Sequence, residues 1–240
     1  MLELRSHRHR LEGFFEHRLS ICGKDLVADM SGALYWPGER MLLVADMHLE
    51  KGSAAARRGH FLPPYDTRST LGRLAEAIER FEPETVVSLG DSLHDRGAAE
   101  RMSEDDLDLL RSLQEGRNWR WITGNHDPEL PDLLGGEVCD GMEVGGVWLR
   151  HAPLPGRITH EIAGHLHPAA RVSLYGYSIR RPCFVSNGLR LLMPAFGTYT
   201  GGLNILKPEI YDLFGSEGLS VQMLGQDGIY ALATRQLQDD

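Results

Sequence analysis

The stretch Met41-Leu42-Leu43-Val44-Ala45-Asp46-Met47-His48 decides the fold: five apolar residues run directly into an aspartate and a histidine. A short unbroken apolar run of this kind reads as a buried strand. The same figure recurs twice downstream. Thr85 to Leu89 ends at Gly90-Asp91, and Trp119 to Ile122 leads to Gly124-Asn125-His126-Asp127. Between the strands, Leu71, Leu74, Ala75, Ile78 and Phe81 recur at helical spacing, which predicts an amphipathic helix ending before Pro83. Ser103-Glu104-Asp105-Asp106 predicts a capping box that opens a second helix, with Leu107, Leu110 and Leu113 on one face and a stop at Gly116. Strand and helix therefore alternate over residues 41–127, the pattern of an α/β layered core. From Glu137 to Met193 the pattern changes to strand-like runs separated by Gly145-Gly146, Gly176 and Asn187-Gly188, which predicts hairpins of a second sheet.

No repeat, linker or composition break divides the chain. Its 240 residues, 42% hydrophobic and 25% charged, suit a single domain over residues 19–240. Residues 1–18, with Arg5, His7, Arg8, His9 and Arg10, lack periodicity and read as an N-terminal tail. The charge balance of 25 Lys+Arg against 34 Asp+Glu, or −9, excludes a broad basic surface for nucleic acid but leaves room for a small footprint. Cys22, Cys139 and Cys183 are too few and too scattered for a disulfide framework or a thiolate metal site. With no signal segment and no apolar run long enough to span a bilayer, a cytoplasmic protein without membrane association is expected.

Chemistry concentrates where the strands end. In α/β sheets ligands gather beyond the carboxyl ends of the strands. Asp46-x-His48, Gly90-Asp91 and Gly124-Asn125-His126-Asp127 all stand there, followed by Arg150-His151 and Gly164-His165-Leu166-His167. These clusters offer oxygen and imidazole donors and no thiolate, a set suited to a hard or borderline divalent ion such as manganese, iron or zinc. Asp46, His48, Asp91, Asn125, His151, His165 and His167 make seven candidate ligands, too many for one catalytic ion and suited to two ions sharing a carboxylate. In extended chain, residues two apart point the same way, so Asp-x-His and His-x-His could each serve one centre. Glycines 90, 124 and 164 would allow tight turns at the strand ends. His160-Glu161-Ile162-Ala163-Gly164-His165 is not a zinc-protease motif, because its second histidine comes one residue late. Phosphate-loop and serine-elbow motifs are missing as well.

Taken together, Asp46-x-His48, Gly90-Asp91-x-x-His94, Gly124-Asn125-His126-Asp127, His151 and Gly164-His165-x-His167 resemble the calcineurin-like metallophosphoesterases, with all five signature blocks in order. The resemblance implies a four-layer αββα sandwich of two mixed β-sheets. It implies Asp46, His48 and His167 on one metal, Asn125, His151 and His165 on the other, and Asp91 between them. His126 would be an unmetallated catalytic histidine beside the scissile phosphate, with Asp127 as its orienting partner. His94 departs from the commonest pattern, standing where many members have Asp.

A narrower resemblance rests on Leu34-Tyr35-Trp36-Pro37, Asp46 to Ser53, Leu62 to Arg68 and Pro194 to Leu203. These segments resemble the bacterial ligase-associated DNA damage response endonucleases, the PdeM family. Members are implied to be manganese-dependent DNA phosphodiesterases that work with a helicase, a ligase and an exonuclease in repair. The expectation is a dinuclear phosphodiesterase, an endonuclease on single-stranded or structured DNA. A phosphomonoesterase or pyrophosphatase on a small nucleotide or lipid precursor, and a metal-bound repair scaffold, are the alternatives. The pairs Arg57-Arg58 and Arg180-Arg181 are candidate grips for flanking phosphates.

Overall fold

The computed structural model describes residues 15–60, 62–156, 160–214 and 218–240. Most of the expected tail, residues 1–14, lies outside the described residues, and the first strand begins at Glu16. The first sheet holds seven strands in chain order: β1 (Glu16–Ile21), β2 (Lys24–Asp29), β3 (Leu34–Trp36), β4 (Met41–Val44), β5 (Thr85–Leu89), β6 (Asn118–Ile122) and β7 (Glu137–Cys139). β1 to β4 pair antiparallel, and β4 to β7 pair parallel. Parallel steps require crossovers. α1 (Lys51–Arg57) and α2 (Asp66–Phe81) lie between β4 and β5, and α3 (Ala98–Arg101) and α4 (Glu104–Gln114) between β5 and β6.

The second sheet comprises β8 (Met142–Val144), β9 (Val147–Arg150), β10 (Glu161–Ala163), β11 (Pro168–Leu174), β12 (Tyr177–Ser186), β13 (Arg190–Leu192), β14 (Leu203–Asn204), β15 (Ser220–Leu224) and β16 (Ile229–Leu232). Its spatial order is β14-β11-β12-β13-β10-β9-β8, with β15 paired to β12 and β16 to β15. Two sequence expectations need correction. Glu137–Cys139 joins the first sheet, because Gly135 and Gly136, both at positive φ, turn the chain over Trp119 and Trp121 to lie beside β6. The centre of the second sheet is not built of hairpins: β10 runs parallel to both β9 and β13. That parallel centre gives β9 and β10 carboxyl ends at one edge.

Strand alternation sends successive side chains to opposite faces, and here both faces are apolar. Leu42, Val44, Val86, Trp119 and Trp121 pack under Leu71, Leu74 and Ile78 of α2 and Leu107 and Leu110 of α4. Their neighbours Leu43, Val87, Leu89 and Ile122 meet Leu149, Ile162, Phe184 and Leu191 between the sheets. On the far side Ala163, Cys183, Val185 and Leu192 pack with Ile210 and Phe214 of α5 (Pro208–Phe214). These are the four layers αββα.

α2 stops before Pro83, as its sequence predicts, at a left-handed Glu82. Its start at Asp66 is earlier than the apolar period reveals, because Asp66, Thr67 and Thr70 are buried polar residues engaged elsewhere. At α4, the Ser103 hydroxyl oxygen accepts the Asp106 N–H at 3.2 Å, but the Asp106 carboxylate is held by the Ser103 hydroxyl and by Arg68, so half of the capping box forms. Among the described residues no helix is long and apolar enough to cross a membrane.

One buried charge network braces the parallel centre of the second sheet. Arg190 and Glu161 are fully buried and paired at 2.6 Å, while Arg150 lies 3.3 Å from the other Glu161 oxygen. Arg190 also donates to the carbonyls of Leu154, Gly156 and Leu213, tying the loop after His151 to the end of α5. Removing one partner of such a pair strands a buried charge. Arg190→Ala should therefore cost about 3–5 kcal/mol, read as a lowered midpoint in urea unfolding; a loss near zero would show that Arg150 alone satisfies Glu161.

Candidate metal centre

The five polar clusters meet because β4, β5 and β6 are parallel in one sheet and β9 and β10 in the other, with both sets of carboxyl ends at the same rim. The local backbone is not extended as the two-residue spacing suggests. β4 ends at Val44, and of the eleven described non-glycine residues at positive φ, five are candidate ligands: Asp46 (52°), His48 (44°), Asp91 (47°), His165 (70°) and His167 (45°). Left-handed backbone costs roughly 1–2 kcal/mol per non-glycine residue and gathers at functional sites. Cross-strand hydrogen bonds hold it here: Asp46 N–H to Gly90 at 3.2 Å, His48 N–H to Asp91 at 2.9 Å and Gly164 N–H to His151 at 2.9 Å.

Among the described residues the donors form three groups, Asp46 with His48 and His167, Asp91 with His151 and His165, and, sharing His48 with the first, His48 with His94 and His126. In the first, His48 Nε2 and His167 Nε2 are 3.3 Å apart, and His167 Nε2 is 3.4 Å from Asp46 Oδ1. In the second, His151 Nε2 is 3.1 Å from His165 Nδ1, 2.9 Å from Asn125 Oδ1 and 3.4 Å from Asp91 Oδ1. Asp91 faces both, its Oδ2 lying 3.8 Å from His48 Nε2. An ion bonded at about 2.1 Å spaces its ligands roughly 3.0–3.4 Å apart, so these separations fit divalent cations. Asp46 Oδ1 is buried without a hydrogen-bond partner, while Oδ2 accepts the His165 N–H at 2.8 Å. An orphaned carboxylate oxygen facing imidazoles is a cation ligand in waiting. His151 Nδ1 lies 2.9 Å from the Leu89 carbonyl, which fixes the proton there and frees Nε2.

Electrostatics keep His48 and His165 ready to ligate and leave His167 to give up a proton on binding. Burial, aided by His167, His126 and Lys51, pushes His48 down to about 2. Burial and His151 lower His165. At His167 burial acts downward, but the Asp46 carboxylate outweighs it and raises the ring above its ordinary value.

The catalytic pair implied by the family resemblance is arranged differently. His126 Nδ1 lies 2.7 Å from the backbone carbonyl of His94, so that carbonyl and not Asp127 orients the ring. Asp127 is fully buried and accepts the N–H groups of Asp91, Leu93 and Gly124, each at 3.0 Å. The reason is position: Asp127 lies beneath the turn, joining the ends of β5 and β6. Burial, with the charge of Asp91, raises its pKa to about 6 against those hydrogen bonds. His94 does reach the site, its ring 5.4 Å from His126 and 5.8 Å from His48. Gly124 and Gly164 serve close approach, not turning: a Cβ on Gly124 would overlap Asp91, and one on Gly164 would lie 2.6 Å from Asp46 Oδ2. Gly90, at φ +78°, does make a turn.

Several residues quoted for the narrower resemblance support the ligand segment. Thr67 Oγ1 accepts the Glu50 N–H at 2.9 Å and donates to the Glu50 carboxylate at 2.8 Å, and Asp66 accepts the Gly52 N–H at 2.9 Å. Phe196 is fully buried, and the Gly197 N–H bonds Asp46 O at 3.1 Å. Arg101 grips Asp95 through two bonds and reaches Ser53, bracing the loop after His94 against α1. Periodicity carries no trace of such contacts. Ser92, in the Gly90-Asp91-Ser92-Leu93-His94 segment that lacks a serine-elbow glycine, is buried against Ser88, and Glu161 of the rejected zinc-protease pattern is spent on Arg190. Arg57 and Arg58 are exposed at the end of α1; the charge of Arg58 reaches His94.

Fold and site together define a metal-dependent phosphoester hydrolase. Residues 39–187 match the calcineurin-like phosphoesterase family. Among solved structures, the nuclease MPE of Pseudomonas putida aligns with a TM-score of 0.71 and 30% identity, over 90% of this chain and 100% of that one. YfcE, a phosphoesterase from E. coli, aligns with a TM-score of 0.41 and 15% identity over 80% of this chain and 98% of its own, a likeness too remote to inform the chemistry. A search of curated protein sequences gives no match. The chain belongs to the calcineurin-like phosphoesterase family, and its likeness to the Pseudomonas nuclease is consistent with the narrower endonuclease resemblance.

Asp127 offers a direct test of how the site is braced. In Asp127→Asn an amide nitrogen replaces one acceptor oxygen, leaving at least one N–H of Asp91, Leu93 or Gly124 unpaired. The expected loss is about 1–3 kcal/mol in thermal unfolding of the metal-free protein, with weaker manganese binding by calorimetry.

Proposed function

We propose that the chain is a dinuclear phosphodiesterase that cuts nucleic acid, an endonuclease on single-stranded or structured DNA, with manganese as the expected metal. The observation that carries the reading is Asp91, whose two oxygens face two separate donor groups beside His126. Asp46, His48 and His167 would hold one ion, Asn125, His151 and His165 the other, with Asp91 shared. When bound, such ions supply Lewis acidity toward phosphoryl oxygens and activate a water for in-line attack. The likeness to the Pseudomonas nuclease supports nucleic acid as the substrate class. A role in DNA repair beside a helicase, a ligase and an exonuclease rests on the narrower resemblance. Three free cysteines suit work in a reducing cytoplasm.

The chain's own part is to hold charge and move one proton. With its Nδ1–H directed to the His94 carbonyl, His126 presents Nε2 to the opening, 4.0 Å from Asp91 Oδ2, on a side chain 39% exposed. Protonated at Nε2, it gives that proton to the leaving oxygen as the P–O bond breaks. Asp127 keeps the Asp91 and Gly124 backbone in register, so the shared carboxylate and His126 stay aligned.

His126→Ala should retain two ions per chain by elemental analysis yet lose about 10²–10⁴-fold in turnover, whereas His167→Ala should lose metal as well. A His126→Ala loss below about tenfold would remove it from proton transfer. For substrate, manganese-loaded protein should cut a closed circular single strand, which offers no end, and leave a blunt duplex largely intact. Hydrolysis confined to monoesters would make the protein a small-molecule phosphatase.

A further inference from the structure

β11 begins one residue after His167 and carries Arg171, which stands directly opposite Arg180 of β12. Like charges facing each other across strands repel, so this pair needs a counter-anion. The segment Gln238–Asp240 supplies it. The Asp240 carboxylate lies 3.9 Å from Arg171 and 3.8 Å from Arg180. Asp239 takes Lys207 Nζ at 2.9 Å on its carboxylate and Arg171 at 3.2 Å on its carbonyl. The segment is docked by Gln238 N–H on the Arg171 carbonyl at 2.8 Å and by the fully buried Asn204, which donates to the Gln238 carbonyl at 2.9 Å and to Asp240 at 3.3 Å.

This cluster adjoins the metal centre. Arg180 donates to the Gly202 carbonyl, and Gly202 is packed so closely on His167 that a Cβ there would lie 2.9 Å from the His167 carbonyl oxygen. Four residues of strand from His167 to Arg171 span about 13 Å, a reach of a few nucleotides of single strand. Arg180 and Arg181 are consecutive in β12 and face opposite sides, so the partner of Arg180 is Arg171. In a chain at −9, three cations converge beside a phosphoester site and are already occupied by the chain's own carboxylates. The two Asp240 contacts are long, and all three ion pairs are partly exposed, the kind that contributes little and yields to competition. At the hairpin turn Tyr175 and Tyr177 are 87% and 76% exposed, open faces for base stacking.

We propose that Arg171, Arg180 and Lys207 form a phosphate-binding track for a single nucleic-acid strand leading out of the metal centre, and that Asp239 and Asp240 cover it until the strand displaces them. The proposal rests on the nucleic-acid reading above and adds a binding site and its internal competitor. The test uses full-length, metal-free protein and a labelled oligothymidylate, followed by fluorescence anisotropy across salt concentrations, with circular dichroism as the folding control. D239N/D240N should bind more tightly than the wild type. R171Q/R180Q should bind more weakly, with a log-affinity against log-salt slope shallower by about 1.4, from two contacts at about 0.7 each. If either double variant matches the wild type in affinity while the wild type binds or cuts DNA, the track or its cover is overturned and the nuclease reading stands. If neither metal-free protein binds the strand while manganese-loaded wild type cuts DNA, the track falls alone; if manganese-loaded wild type cleaves a small chromogenic diester but cuts no DNA strand, the nucleic-acid reading falls and the track falls with it.

Discussion

Asp46, Asp91 and Asp127 are at most 2% exposed, and the first two lie within 4 Å of candidate ligand imidazoles. Burying carboxylates so close together is costly unless each is hydrogen-bonded or paired with positive charge. The rim of the two sheets answers that demand piece by piece. Asp127 spends its oxygens on three backbone N–H groups, Asp91 accepts the His126 N–H, and Asp46 accepts the His165 N–H. What remains unsatisfied, above all Asp46 Oδ1, is directed at the imidazoles and calls for cations.

The same demand accounts for the unusual backbone. Strands that ended in ordinary extended chain would splay Asp46 and His48 along the rim. Left-handed steps at Asp46, His48, Asp91, His165 and His167 fold both segments inward. A single such step is strained; a set of them is tolerable where two sheets, a helix layer and cross-strand hydrogen bonds over-determine the path. Gly124 and Gly164 then have a packing role, since any side chain there would occupy the space of a carboxylate.

Charge is distributed to match. The chain is acidic overall, its imidazoles are held neutral by burial at His48 and His165, and one partly exposed ring, His126, faces the opening. Cations near the site are few and mostly engaged: Arg101 with Asp95, Arg171 and Arg180 with Asp240, Lys207 with Asp239. Under the proposed function, phosphate affinity would come chiefly from bound metal ions and orientation from a small number of side chains, an arrangement suited to flexible strands over broad duplex surfaces.

The sequence by itself determined the three buried strands, the amphipathic α2 and α4, the clusters at the strand ends and the family that carries them, because apolar period and strand-end polar residues are local properties. Burial of Leu42 and Leu43 on opposite faces, and the stop of α2 before Pro83, follow from short-range rules. Tertiary structure alone decided that β7 joins the first sheet, that β10 runs parallel between β9 and β13, and that His94's carbonyl, not Asp127, orients His126. It also decided the bracing of Glu50 by Thr67 and the meeting of Arg171 with Asp240. These depend on backbone carbonyls and on pairs distant in the chain. No residue's identity records which carbonyl will face it once two sheets close on each other.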